Sequence, residues 1–136
     1  MRLVTEPQSR WRDDKGQALV EFALCAVLFL TVLFGIMNFG LAVHQYHFVD
    51  YAARAATRYA IVRGASSPKP ATASDIQAFV VGLGLEHAKV TTTWKPDNAA
   101  GSIVQVSVQY DFTPLTPLVP SAVLPLTSTS QMVISQ

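Results

Sequence analysis

The amino-acid sequence predicts an α+β fold. A long N-terminal helix, first transmembrane and then exposed, packs on a small antiparallel sheet of about three strands with one short helix. The first observation behind this prediction is an apolar run from Ala18 to Val43, interrupted only by Glu21, Thr31 and Asn38. The second is a further stretch at the helical period without Gly or Pro. The third is a later change to alternation with a period of two.

Size and composition limit the chain to one small folded unit and one membrane span. Charged residues make up 14% of the 136 residues, against about 25% in an ordinary soluble domain. The formal net charge of +1 provides no basic field for nucleic acid, so no nucleic-acid partner is predicted. The single cysteine, Cys25, lies inside the apolar run and is interpreted as a small packing residue.

The N-terminal part divides into a leader and a span. Residues 1–16 are polar, mixed in charge and without apolar periodicity, which predicts a disordered cytoplasmic leader. Residues 17–43 exceed the roughly 20 apolar residues that a transmembrane helix needs. The run is longer than a secretory h-region and no A-x-A site lies directly after it, so ordinary signal peptidase is not expected to remove it. Arg12 and Lys15 lie nearest the membrane, which favours a cytoplasmic N-terminus.

Residues 44–63 are predicted to continue the same helix outside the membrane. Asp50 and Arg54 have the spacing of a helical ion pair, and Gly64 followed by two prolines ends the pattern. One face carries an apolar stripe at spacings of three and four: Tyr46, Val49, Ala53, Ala56 and Ala60. An ordinary membrane anchor with a juxtamembrane helix has the same pattern, so both interpretations stay open.

Residues 64–136 are predicted to form a small α+β body. Ser74 is the expected cap of a short helix whose apolar face holds Ile76, Phe79, Val80 and Leu83. Strands are expected at 89–94 and 104–112 because side chains alternate there. A last strand is expected at 127–135, which is rich in Thr and Ser. The segment from Pro114 to Pro125 is expected to be irregular, since a sheet interior would not accept its prolines.

Candidate catalytic and binding residues are few. His44, His47 and Asp50 share a helix face, but polar aromatic residues are expected just past a membrane boundary. No phosphate loop or nucleophile motif is present. The sequence therefore predicts no enzyme, no metal, no cofactor and no small-molecule substrate. Trp94 and Tyr110 could form a sugar-binding surface, but both fall on apolar strand faces, which favours a place in the core.

Glu21 is the unusual residue, because a charge at the centre of a membrane helix costs about 2.5–3.5 kcal/mol or more, and less near the interface. One explanation is a carboxylate that reaches up to the head groups. The other is a carboxylate that pairs with a positive charge inside the membrane or a fibre and selects the register of packing. If the chain is cut after Gly16, the new amine of Gln17 supplies that charge.

Three segments carry a resemblance to a known family: GQALVEF, LFGIMNFG and DYAARAATRYAIVRG. The chain resembles, over residues 15–64, the TadE-like family of the tight-adherence (Flp, type IVb) pilus system, whose members are minor pilins or pseudopilins. Gly16, four further residues and then Glu21-Phe22 also match a bacterial prepilin processing site. The C-terminal half is similar only in pattern.

The resemblance implies a function, partners and a location. A prepilin peptidase would cut between Gly16 and Gln17, which makes Glu21 and Phe22 the fifth and sixth residues of the mature chain, with roles in assembly and register. The partners would be the major Flp pilin, other minor pilins and inner-membrane platform proteins. The mature chain would cross the bacterial inner membrane once, with its body in the periplasm, before joining a pilus that mediates adhesion and biofilm formation.

A second hypothesis comes from a different class of protein. The chain would be a single-span, membrane-anchored binding module whose outer body recognises a surface or glycan through Trp94. This reading requires neither cleavage after Gly16 nor a role for Glu21.

Overall fold

A computed structural model describes residues 10–115 and 123–135. Two helices precede three strands: α1 (Arg10–Ile61), α2 (Ala73–Gly82), β1 (Lys89–Lys95), β2 (Ile103–Phe112) and β3 (Leu124–Val133). The strands form one antiparallel sheet in the order β1-β2-β3. The predicted α+β class, with a long N-terminal helix, one short helix and three strands, is therefore confirmed.

The start of α1 differs from the prediction. The helix begins at Arg10 and not near Gln17, so the expected disorder is wrong for residues 10–16, whereas residues 1–9 lie outside the described range. Once the apolar run has nucleated a helix, each added residue gains a hydrogen bond for a small entropic cost. Gly16 disfavours a helix by only about 1 kcal/mol relative to Ala, which is too little to stop it.

The chain divides into two compact units, Met1–Met37 and Asn38–Gln136. The second unit contains the C-terminal part of α1, whose buried stripe begins at Val49 and continues through Ala53, Ala56 and Ala60. Four of the five predicted stripe residues are thus in the core. Tyr46 is not, since it precedes the first fully buried position and is 47% exposed.

The inner face of the sheet provides another part of the core. Val104, Val106 and Val108 of β2 are fully buried, because β2 is the central strand and has a neighbour on either side. The partners of Val106 are Thr92 on β1 and Ser130 on β3. Alternate residues of β2 point to the other face, as the period of two predicts.

β3 begins earlier than predicted. It runs from Leu124 to Val133, so it starts three residues before Thr127 and contains Pro125, which was expected in an irregular segment. The physical reason is the strand order, since β3 is an edge strand and proline is tolerated where no ladder donor is required. Of the irregular segment, residues 116–122 lie outside the described range.

α2 is capped by Thr72 and not by Ser74, which lies inside the helix. The Thr72 hydroxyl accepts a hydrogen bond from the Asp75 backbone N–H, and the Asp75 carboxylate accepts one from the Thr72 N–H, which completes a capping box. Hydrogen bonds from Thr72 lower the pKa of Asp75 below its ordinary value. Ile76 and Val80 bury the predicted apolar face.

The contact between α1 and α2 is aromatic. The rings of Tyr59 and Phe79 stack with centroids 4.7 Å apart. The Arg63 guanidinium lies over the Tyr59 ring, 3.9 Å from its centroid, and adds a cation–π contact. Gly84, just after α2, has a φ of +103°, a conformation that favours glycine. Gly84 lies in the turn that leads from α2 to β1.

Candidate functional site

The four residues predicted for processing and assembly lie in the N-terminal turns of α1, in the first unit. Gly16 and Gln17 are both helical, so the bond between them lies inside regular helix. A Cβ atom added at Gly16 would meet nothing within 4 Å. Gly16 is therefore not required by packing within the described part of the chain, and any need for glycine must come from another molecule.

The side chains of Glu21 and Phe22 are on the surface of α1. Phe22 is 74% exposed, and Glu21 is exposed as well. Within the described range Glu21 has no ion pair or hydrogen-bond partner. Gln17 and Glu21 are four residues apart, so they lie on one helix face about 6 Å apart along the axis. A positive charge on the nitrogen of Gln17 would thus be within reach of the Glu21 side chain.

The helix surface around these residues is apolar. Leu19, Leu24 and Leu28 are each 69% exposed. α1 contains, between Gly16 and Ile61, an apolar window long enough to cross a membrane, and none of that window is buried inside the protein. Exposed apolar surface of this extent requires lipid or protein around it, so the helix is consistent with a single-pass membrane anchor.

The His44, His47 and Asp50 face does not form a cluster of metal ligands. The Asp50 carboxylate accepts hydrogen bonds from Arg54 on the next turn and from the Ser128 hydroxyl at 2.9 Å. Both histidines are exposed. Over residues 16–115 and 123–135, whose side chains the structure describes, no three His, Cys, Asp or Glu side chains lie close enough together to hold a metal ion.

Trp94 and Tyr110 are half-buried and pack against the core, on the face of the sheet that the alternation predicted. The Nε1 atom of Trp94 is buried and has no hydrogen-bond partner among the described residues. The packing of both residues against the core favours the predicted place in the core over a glycan-binding surface.

One polar contact was not foreseen from the sequence. Asp50 was expected to pair with Arg54, which it does, but the same carboxylate also joins α1 to β3 through Ser128. The two residues are 78 positions apart, and no local pattern links them. The one available signal was a polar residue at an inward-facing position of β3. Ser128 is buried there, opposite Val108.

This contact has a measurable contribution to stability. We expect Ser128→Ala to lower the free energy of unfolding by about 1 kcal/mol, because a partly buried carboxylate loses a hydrogen-bond donor. Denaturant unfolding of the full chain in detergent micelles, followed by Trp94 fluorescence in a Trp11→Phe background, measures the change. Ser107→Ala is the matched control, since Ser107 accepts an exposed hydrogen bond from Thr129. Equal losses in the two variants would contradict the prediction.

These features define a class of protein: an α+β body preceded by one apolar helix able to cross a membrane. The family model described as TadE-like protein matches residues 16–58. The match begins at Gly16 and covers the apolar run and most of its continuation, so the resemblance to the TadE-like family is confirmed over this segment. This resemblance suggests that the chain is involved in a tight-adherence pilus system. Comparison with curated proteins and with solved structures gave no match.

Proposed function

We propose that this chain is a minor pilin or pseudopilin that takes part in assembly of a tight-adherence pilus after a prepilin peptidase has cut between Gly16 and Gln17. The observation that carries the proposal is the position of Gly16 and Glu21 at the start of an exposed apolar helix, inside the segment that matches the TadE-like family. The role is structural and not catalytic.

The proposed cleavage depends on local opening of α1. The bond between Gly16 and Gln17 lies in helix, where its backbone groups are engaged, so the peptidase requires the first turns to unwind. Glycine lowers the cost of unwinding by about 1 kcal/mol relative to alanine. The open space around Gly16 also lets the peptidase approach the backbone closely. Both effects favour cleavage at this position.

The proposed role of Glu21 follows from cleavage. Cutting after Gly16 creates an ammonium group on Gln17, one helical turn from the Glu21 carboxylate. In a membrane or a packed fibre the local dielectric is low, so an unpaired carboxylate is costly and a paired one is selective for register. Glu21 then pairs with the Gln17 ammonium of its own or a neighbouring subunit, and Phe22 packs beside it.

The proposed location follows from the resemblance to the TadE-like family and from the proposed cleavage. Residues 1–16 form the cytoplasmic leader, residues 17–43 cross the bacterial inner membrane, and residues 44–136 lie in the periplasm. The major Flp pilin, other minor pilins and the inner-membrane platform proteins are the proposed partners. In a fibre, the exposed apolar surface of α1 is covered by helices of neighbouring subunits in place of lipid.

The mass of the N-terminal peptide tests this proposal. For protein purified from its own cell envelope, we expect the first residue to be Gln17, because the peptidase removes residues 1–16. Mass analysis of the intact chain and of its N-terminal peptide measures this. The same gene expressed in cells without the peptidase is the control and should retain Met1. An intact Met1 in cells that contain the peptidase would contradict the proposed processing.

A further inference from the structure

β3 has an outer edge at which no strand is paired in the described chain, since β2 is its one neighbour in the sheet. Directly after β3, the N–H and the C=O of Ile134 both bond to the start of β2, at Ser102 and Gly101. Main-chain groups alternate in direction along an antiparallel strand. Four residues with an N–H therefore direct their main-chain groups away from β2, and we call them the β3 edge: Thr127, Thr129, Gln131 and Val133. Among the described residues, none bonds to these groups.

The β3 edge lacks the features that normally prevent a further strand from pairing. Proteins protect free edges with charged residues, with proline or with an element that covers them. β1, at the opposite edge of the sheet, carries Lys89 and Lys95 and contacts α2. β3 contains no charged residue, and its one proline, Pro125, lies before the β3 edge begins. The two edges of the sheet are thus different, and only the β3 edge is an open template for strand pairing.

The helix layer above the sheet is wide enough for one more strand. α1 lies over β3, because the Asp50 carboxylate accepts a hydrogen bond from Ser128 at 2.9 Å and the Thr57 hydroxyl donates one to the Ser130 C=O at 3.5 Å. A helix is about 10 Å across, so α1 extends about 5 Å beyond the strand beneath it. That overhang equals one strand spacing of about 4.8 Å, and a fourth strand at the β3 edge would lie under α1.

From these observations we infer that the β3 edge receives a fourth strand from a different protein, an extended and uncharged segment about as long as residues 127–133. Main-chain hydrogen bonds supply the affinity of such a strand addition, and side chains supply its specificity. On the outer face, Thr129 donates to Ser107 and Gln131 donates to Gln105, each at 3.0 Å. Thr, Ser or Gln side chains of the added strand extend these two rows.

The direction of α1 excludes β3 of a second copy as the added strand. Two identical edges pair about a two-fold axis perpendicular to the sheet, which makes the strands antiparallel. Within the second unit α1 runs in the same direction as β3, since Asp50 contacts Ser128 and Ile61, further along α1, contacts Ser135. The α1 helices of such a pair would run in opposite directions. Copies anchored in one membrane enter with α1 in the same direction, so this pairing does not form.

The width of the helix layer excludes β1 of a second copy. Pairing β3 with that strand would repeat the three-stranded sheet every 14 Å or so, at about 4.8 Å per strand. Each copy also brings α1 and α2, which lie side by side with the rings of Tyr59 and Phe79 stacked. Two packed helices need about 16–20 Å, so the helices of neighbouring copies would overlap. The occupant is therefore a strand that brings no helix layer of this kind.

Photocrosslinking in cells tests the proposed partner. The full chain carries p-benzoylphenylalanine in place of Val133, which is exposed on the outer face of β3, and the crosslinked peptide is identified by mass spectrometry. We expect an uncharged segment of a different protein. Thr129→Pro should reduce this product at least about tenfold, because it removes an outward N–H and places a ring against the added strand. Pairing with β2 is spared, since the Thr129 N–H points away from β2.

Two further variants control for changes in folding. Thr129→Val keeps the N–H and removes only the hydroxyl that donates to Ser107, so it is the matched control and should keep the product within about twofold. Thr127→Pro removes another outward N–H and should reduce the product as Thr129→Pro does. It keeps the test decisive if unfolding measurements by Trp94 fluorescence, in a Trp11→Phe background, show that Thr129→Pro is not folded.

Three results would overturn the proposal: no crosslink to another protein, a crosslink to a second copy of this chain, or a product unaffected by the proline variants. Strand addition goes beyond the proposed function and does not depend on cleavage after Gly16. The N-terminal mass, measured in the same samples, separates the two. A mature N-terminus at Gln17 without the crosslink rejects the strand addition alone, whereas the crosslink on a chain that retains Met1 rejects the processing alone.

Discussion

Replacing Gly16 by Leu is expected to leave almost all of the chain unprocessed, with Met1 still present. In the proposed function Gly16 enters a peptidase pocket that accepts little else. One extra methylene against a closely fitted pocket already costs about 10–200-fold in specificity, so a leucine side chain should reduce cleavage at least about a hundredfold. The ratio of precursor to mature chain, measured by intact mass after a pulse of synthesis, quantifies the effect.

The structure makes this experiment interpretable. A side chain at Gly16 meets nothing within 4 Å, and leucine is a better helix former than glycine. The variant should therefore fold and insert as the parent does. Gly35→Leu is the matched control, because Gly35 also lies in α1 and is equally unobstructed. Normal processing of Gly16→Leu, or a loss of processing in Gly35→Leu, would count against a peptidase that recognises Gly16.

Replacing Glu21 by Ala is expected to preserve cleavage and to reduce incorporation into the pilus. The variant loses the carboxylate proposed to pair with the Gln17 ammonium, and a buried charge-assisted contact contributes about 1.5–3 kcal/mol. We therefore expect at least about tenfold less of this chain in the sheared pilus fraction, relative to the cell envelope. Quantitative mass spectrometry of the two fractions gives the ratio, and the N-terminal peptide reports cleavage.

Two further variants test whether loss of the Glu21 charge causes the reduced incorporation. Glu21→Gln keeps the shape and removes the charge, so it should behave as Glu21→Ala does if the ion pair is what matters. Glu86→Ala removes an exposed carboxylate that has no partner among the described residues, and it should leave incorporation unchanged. Incorporation of Glu21→Ala at the level of Glu86→Ala would reject a register role for Glu21.

Both predictions concern residues that were identified from sequence alone. Glu21 was identifiable because a carboxylate inside an apolar run violates the local pattern. Gly16 was identifiable because it stands five positions before Glu21, the spacing of the prepilin processing site that the chain resembles. The burial of Val104, Val106 and Val108 was predictable for the opposite reason, since strict alternation leaves one register in which an apolar face is covered. Periodicity within one segment was sufficient in these cases.

Other features depended on which segments become neighbours. Pro125 suggested irregular chain, yet it lies in β3, because β3 is an edge strand and an edge strand does not require every donor. Ser74 was a reasonable candidate for the cap. In the structure the Thr72 hydroxyl accepts a hydrogen bond from the Asp75 N–H, and the Asp75 carboxylate accepts one from the Thr72 N–H. Which of two nearby hydroxyl residues caps the helix depends on the path by which the chain enters it.

The amino-acid order alone was enough to predict the long apolar helix and the α+β class, since each follows from periodicity along one segment. It was also enough to predict the proposed cut site, which follows from the resemblance to a prepilin processing site. The fold in three dimensions was needed for the link between Asp50 and Ser128 and for the open outer edge of β3. These two features depend on which distant segments become neighbours, and their energies depend on distances that no local pattern encodes.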